Sequence, residues 1–171
     1  KSLPVVAWQW ARTVPCPNPA CGAQAPLVRS FCLSSKRAKP AWVQPVLGGE
    51  RRYGFRIGTE PGGAREGTVG RQGGRCLVCD APISLAHVRA EAQAGRMGSR
   101  LMCTIAEGRG RRIYLPPDDV HEEAARQARP TWRPSRPLEG KCPVSMPLYG
   151  METFGDLFSP RQLVALETFS G

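Results

Sequence analysis

Val5-Val6-Ala7-Trp8-Gln9-Trp10-Ala11-Arg12-Thr13-Val14 runs into Cys16-Pro17-Asn18-Pro19-Ala20-Cys21-Gly22, and a second pair follows as Cys76-Leu77-Val78-Cys79-Asp80. Apolar Val6, Trp8 and Trp10 alternate with Ala7, Gln9 and Ala11, the period of a half-buried strand. The strand delivers the chain into a Cys-x(4)-Cys loop. Two prolines stiffen that loop, and Gly22 and Asp80 follow the second cysteine of each pair, where positive φ is often required. Two thiolates in each tight turn can supply a tetrahedral ion without strain. The spacing therefore predicts one structural zinc per chain, held by Cys16, Cys21, Cys76 and Cys79, with no coordination position left open for catalysis. Cys32, Cys103 and Cys142 stand singly and read as core or spare thiols; His87 and His121 read as non-ligands.

Outward from the knuckles, a second strand is expected over Leu27, Arg29, Phe31 and Leu33, and a third over Tyr53, Phe55 and Ile57. The seven glycines between Gly58 and Gly74 lack periodicity and predict a loop or irregular hairpin. A helix follows from Ser84 to about Gln93. Leu101, Cys103 and Ile105 predict a strand that pairs with Ile113–Leu115 across the Gly108–Gly110 turn. Pro117 and Asp118–Asp119 open a helix to about Arg129, with acids at its start and arginines at its end as the macrodipole favours. Prolines 130, 134 and 137 give an extended linker. Ser159, Pro160 and Gln162 carry the signature of a capped helix with Leu163, Leu166 and Phe169 as its apolar stripe. The sum is an α+β fold, strand-rich, with a four-cysteine zinc ribbon and a few short helices. Its expected organisation is a zinc-ribbon β-rich domain over 1–115, a helix and Pro-rich linker over 116–141, and a C-terminal segment over 142–171.

The net charge of +10 over 171 residues is segregated. Ten basic residues face three acidic ones between Arg29 and Arg75, and six face two between Arg89 and Arg112, whereas 118–129 and the tail from Met151 are net acidic. Such segregation is expected of a surface that meets phosphates, although Arg outnumbering Lys twenty to four also suits a GC-rich genome. Lys36, Arg37, Lys39, Arg51, Arg52, Arg71 and Arg75 are the candidate DNA contacts. No apolar run approaches the roughly 20 residues needed to cross a bilayer, no signal peptide is evident, and metal-bound reduced thiols suit a cytoplasmic protein. The chain begins at Lys1 and its ends are abrupt, as in a segment of a larger protein. The glycines form neither G-x-G-x-x-G nor a P-loop, and Leu115-Pro116-Pro117-Asp118 lacks the flanks of a catalytic Asp-Pro-Pro-Tyr. No catalytic residue is expected.

These residues resemble a family of adenine-specific DNA methylases, large bacterial proteins often found near anti-phage genes that carry an N-terminal domain of unknown function. The resemblance rests on the opening stretch through Gly22, on Pro26–Phe31, Leu33-Ser34 and Gly67-Thr68-Val69. It continues in Val88-Arg89-Ala90-Glu91, Ala94–Gly98 and Tyr114-Leu115-Pro116, and closes with Tyr149-Gly150-Met151 and Phe154–Leu163. Cys32 stands where an aromatic residue is expected, and between Gly48 and Gly74 the match is confined to Gly67-Thr68-Val69. The resemblance implies a segment between the S-adenosylmethionine-binding motif and the Asp-Pro-Pro-Tyr motif of a methyltransferase involved in restriction-modification or phage defence. The cofactor would then belong only to the parent protein, and the partners would be DNA and the rest of the methylase polypeptide, with no membrane. The other expectation is a zinc-stabilised structural or protein-interaction module packing on the methylase core or a partner.

Overall fold

The computed structural model describes residues 3–141 and 144–170. Strand β1 spans Val5–Pro15, β2 Gln24–Leu27, β3 Cys32–Ser34, β4 Ala41–Leu47 and β5 Tyr53–Gly58. The short strands β6 (Gly73–Arg75) and β7 (Pro82–Ser84) precede helix α1 (Leu85–Gln93). Strands β8 (Gly98–Gly108) and β9 (Arg111–Leu115) lead to helices α2 (Asp119–Gln127) and α3 (Pro160–Ser170). Single 3-10 turns at Met146–Tyr149 and Phe154–Leu157 lie between the last two helices. The fold is α+β and strand-rich, as the residue pattern predicts.

The long strand β1 is the organising element. It pairs antiparallel with β2 on one side and β8 on the other, giving a four-stranded sheet in the order β2-β1-β8-β9. Two register shifts, between Val5 and Ala7 and between Gln9 and Trp10, interrupt the β1–β8 ladder. A three-stranded sheet β3-β4-β5 and the β6–β7 ribbon complete the strands. Ala11, Val28, Phe31, Val43, Tyr53, Phe55, Met102 and Cys103 form one buried cluster between the two larger sheets. A second cluster, Val14, Ala23, Ala25, Ile83 and Val88, encloses Cys16, Cys21 and Cys76.

Two expectations change. The strand expected over Leu27–Leu33 is two strands in different sheets, because the chain bends between Val28 and Phe31, both buried, and crosses from one sheet to the other. Thr68 holds this bend: Val28 N–H donates to its Oγ1 at 2.9 Å, its hydroxyl donates to the Pro26 carbonyl, and its own N–H donates to Val28 O at 2.7 Å. The glycine-rich stretch is therefore a pinned strap. A Cβ on Gly67 would lie 2.2 Å from the Arg29 carbonyl oxygen, so only glycine permits that approach. The apolar stripe of α3 is also only partly used. Leu163 is buried, but Leu166 is 40% and Phe169 89% exposed.

Each helix start carries a side-chain hydrogen bond. The capping box expected at α3 forms only on its Gln162 side, since the Ser159 hydroxyl donates to Gln162 and the Gln162 N–H goes to the Ser159 carbonyl. Ser84 Oγ accepts His87 N–H at 3.1 Å, and Asp118 accepts Val120 N–H at 2.8 Å. At α3 the Gln162 side chain accepts from both the backbone N–H and the hydroxyl of Ser159, each at 2.8 Å. No described helix is long and apolar enough to cross a membrane.

Candidate metal centre

Each cysteine pair is the turn of a β-hairpin. The first closes β1 on β2, where Pro15 faces Gln24, and the second closes β6 on β7, where Arg75 faces Pro82. The two turns are built alike. Cys16 N–H donates to Ala23 O at 2.9 Å, and Cys76 N–H donates to Ala81 O at 2.8 Å, so each leading cysteine bonds to the residue two beyond the trailing one. In the first turn Ala20 N–H donates to Asn18 Oδ1 at 3.0 Å and Cys21 N–H to Asn18 O at 2.9 Å. In the second, Asp80 N–H donates to Cys76 O at 2.9 Å. Gly22 and Asp80 have φ of 64° and 60°, the left-handed conformation expected at both positions. Asp80 is held there by a bidentate contact with Arg75 at 2.8 and 2.7 Å.

The hairpins bring all four Sγ atoms within 4.8 Å of one another. Cys16 and Cys79 are separated by 3.6 Å, Cys21 and Cys76 by 3.9 Å. A tetrahedron with metal–sulfur bonds of about 2.3 Å has edges of about 3.8 Å, whereas a disulfide would need about 2.05 Å. The cluster therefore fits one four-coordinate metal ion. Cys16, Cys21 and Cys76 are buried and Cys79 is exposed.

Burial pushes the Cys16 thiol up to about 12 and raises Cys76 as well. Cys79 falls to about 7, chiefly through the Ala81 N–H bonded to its sulfur. Backbone N–H groups of Asn18, Val78 and Cys79 likewise favour the thiolate forms of the leading cysteines. A cation entering such a site displaces the remaining thiol protons. His87 turns Nε2 to the Pro15 carbonyl at 2.8 Å, away from the sulfurs. His121 packs edge-on against Trp8, ring centroids 5.8 Å apart, and is half-buried. Cys103 is in the core and Cys32 is exposed; Cys142 lies outside the described residues.

Six of the seven basic candidates separate into three grooves, and Arg37 lines none of them. Lys36, Arg37 and Lys39 lie on the exposed β3–β4 turn, where Lys36 and Lys39 share a groove with Arg111 and Arg112 of β9. Arg51 and Arg52 lie on the β4–β5 turn, facing Arg96, Arg100 and Arg126, and Arg52 is paired with Glu50 at 3.1 Å. Arg71 and Arg75 line a groove of about 1060 Å³ beside the first knuckle, together with Arg29 and Arg65 and the backbone of Gly67–Gly74. Arg29 and Arg65 belong to the basic stretch that the sequence marks but are not among the candidates, and the fold brings them into the same groove as Arg71 and Arg75. Comparison with family models, curated proteins and solved structures finds no match.

Proposed function

We propose that the chain is a DNA-contacting module stabilised by one structural zinc ion, serving a methyltransferase of the adenine-specific DNA methylase type. Zinc is the favoured ion because four thiolates at tetrahedral spacing match its structural sites. It would be held by Cys16, Cys21, Cys76 and Cys79, linking two hairpins that lie far apart in the sequence.

The observation that carries the DNA reading is the groove of Arg29, Arg65, Arg71 and Arg75 abutting the knuckle at Pro17. Its wall is glycine backbone, which lets a sugar-phosphate strand approach closely, and among the described residues Glu66 is the one acid lining it. Arg75 is already occupied by Asp80, so Arg29, Arg65 and Arg71 are the expected phosphate contacts. The methylase assignment is supported by the family resemblance of the knuckle, strap and C-terminal stretches. The S-adenosylmethionine site and the methyl-transfer chemistry would lie in the rest of that polypeptide. The exposed Leu166 and Phe169 on α3 suit a contact with it.

Purified protein is expected to carry one zinc per chain and to bind duplex DNA, with log affinity falling linearly against log salt. Arg29→Ala, Arg65→Ala and Arg71→Ala together should make the slope shallower by about one unit for each phosphate no longer neutralised. Arg136→Ala, at a residue paired with Glu139, should not. Equal losses from both would mean general charge and no site. Saturable S-adenosylmethionine binding in a calorimeter would overturn the assignment of the cofactor to the rest of the parent.

A further inference from the structure

A second groove lies away from the knuckles, between β1 and the segment that enters α3. Trp8, Trp10 and Phe158 line it, with Arg12 and Arg161 at its walls. Trp8 is 48% and Phe158 37% exposed, an unusual exposure for two large aromatics that share one concavity. The Arg161 guanidinium lies 4.0 Å from the centre of the Trp10 ring.

The arginines are held together. Arg12 faces Ser99 across the β1–β8 ladder, and Arg161 Nη1 donates to the Ser99 hydroxyl at 3.4 Å. Among the described residues neither forms an ion pair. Among the described residues the one acid lining the groove, Asp156, is occupied by Arg133 and by the N–H groups of Glu152 and Thr153. Burial and the neighbouring Arg12 charge both hold Arg161 below the ordinary arginine value. Two like charges kept adjacent without a counterion are relieved by an anion.

We propose that this groove binds unpaired bases of a single-stranded nucleic acid, with Trp8 and Phe158 stacking on base faces and Arg12 and Arg161 meeting the adjoining phosphates. Aromatic faces beside a cationic wall are the usual platform for unpaired strands, because every base has a π-face. Duplex DNA hides those faces and an acidic peptide lacks them, so the combination selects an unpaired strand. The proposal rests on the DNA-contact reading and adds strand state to it: the arginine groove at the knuckle would hold duplex, and the tryptophan groove the bases displaced from it.

The test is a titration of the zinc-loaded chain with an oligothymidylate and with a duplex of equal length, read by tryptophan fluorescence. The oligothymidylate should quench the signal more than the duplex does. Trp8→Ala and Arg12→Ala should each weaken its binding, Trp8→Ala by roughly 5- to 150-fold as expected when a base loses its stacking partner, and Trp8→Phe should restore most of it. Arg71→Ala should weaken duplex binding and spare the oligothymidylate. If Trp8→Ala and Arg12→Ala bind the single strand as the parent sequence does, the tryptophan groove is not the site, even where Arg71-dependent duplex binding stands. Loss of all nucleic-acid binding sinks both readings. A fluorescence change that appears on raising protein concentration alone, with a larger sedimentation coefficient, would assign the groove to a second copy and overturn the proposal.

Discussion

Cys103 is fully buried between the two larger sheets, and burial pushes its thiol from the ordinary 9.0 up to about 11. The fold thus favours the neutral thiol. That contribution to stability is present in full below pH 9 and is lost as pH rises through about 11. Urea unfolding of the zinc-loaded protein should show a midpoint that declines between about pH 9 and 11. Cys103→Ala should lower the midpoint at about pH 8, through the cavity it leaves, yet flatten the alkaline decline. Parallel declines in the two proteins would show that another group governs the alkaline limb, with Tyr53, pushed from 10.0 to about 12 mainly by burial, the first candidate above about pH 10. The same contrast governs reactivity. Exposed Cys32 should be alkylated at about pH 8 while Cys103 is protected, as peptide mass mapping can show.

At the scale of elements, the cysteine knuckles, β1, β5, α1, β8, β9 and the capped helices were legible because each has a local cause. Alternation, a capping side chain or a positive-φ residue lies within a few positions of the element it determines. Strand β4 was not legible, since Pro45 sits inside it and proline argues against a strand. The ladder tolerates it because β3 reaches only Ala41 and Trp42, leaving β4 an edge strand at Pro45, where Phe55 of β5 is its one partner. The strap was missed for a different reason. Its order comes from Thr68, whose partners Pro26 and Val28 lie 42 and 40 residues away. Thr68→Val should strip the Val28 N–H of its acceptor at a part-buried site. The expected cost is about 1–3 kcal/mol in chemical denaturation, with faster hydrogen exchange at the Val28 amide. A loss of exchange protection confined to other strands would show that Thr68 does not hold the bend.

Over the whole molecule, the two buried clusters divide the labour of folding. One, around Phe31, Val43 and Phe55, is apolar and needs no ion. The other is built of cysteines and smaller side chains, with Val14, Ala25 and Ile83 filling the space between the hairpins. Removing a metal from it would leave four clustered sulfurs in a pocket whose apolar area alone is slight. Metal-binding energy is folding energy in such sites. A chelator should therefore abolish amide protection at Val14, Ala25 and Ile83, while protection at Val43 and Phe55 persists. Val78 packs against both clusters, and the Tyr53 hydroxyl of the first donates to the Gln24 carbonyl beside the second, so the two are in contact. Cys76→Ser should reproduce the chelator's pattern, and excess zinc should not reverse it. If chelation instead unfolds Val43 and Phe55 in the same step, the clusters form one cooperative unit with Val78 at its joint. If chelation changes neither, the four thiols hold no structural metal, and the hairpins stand on their backbone bonds alone.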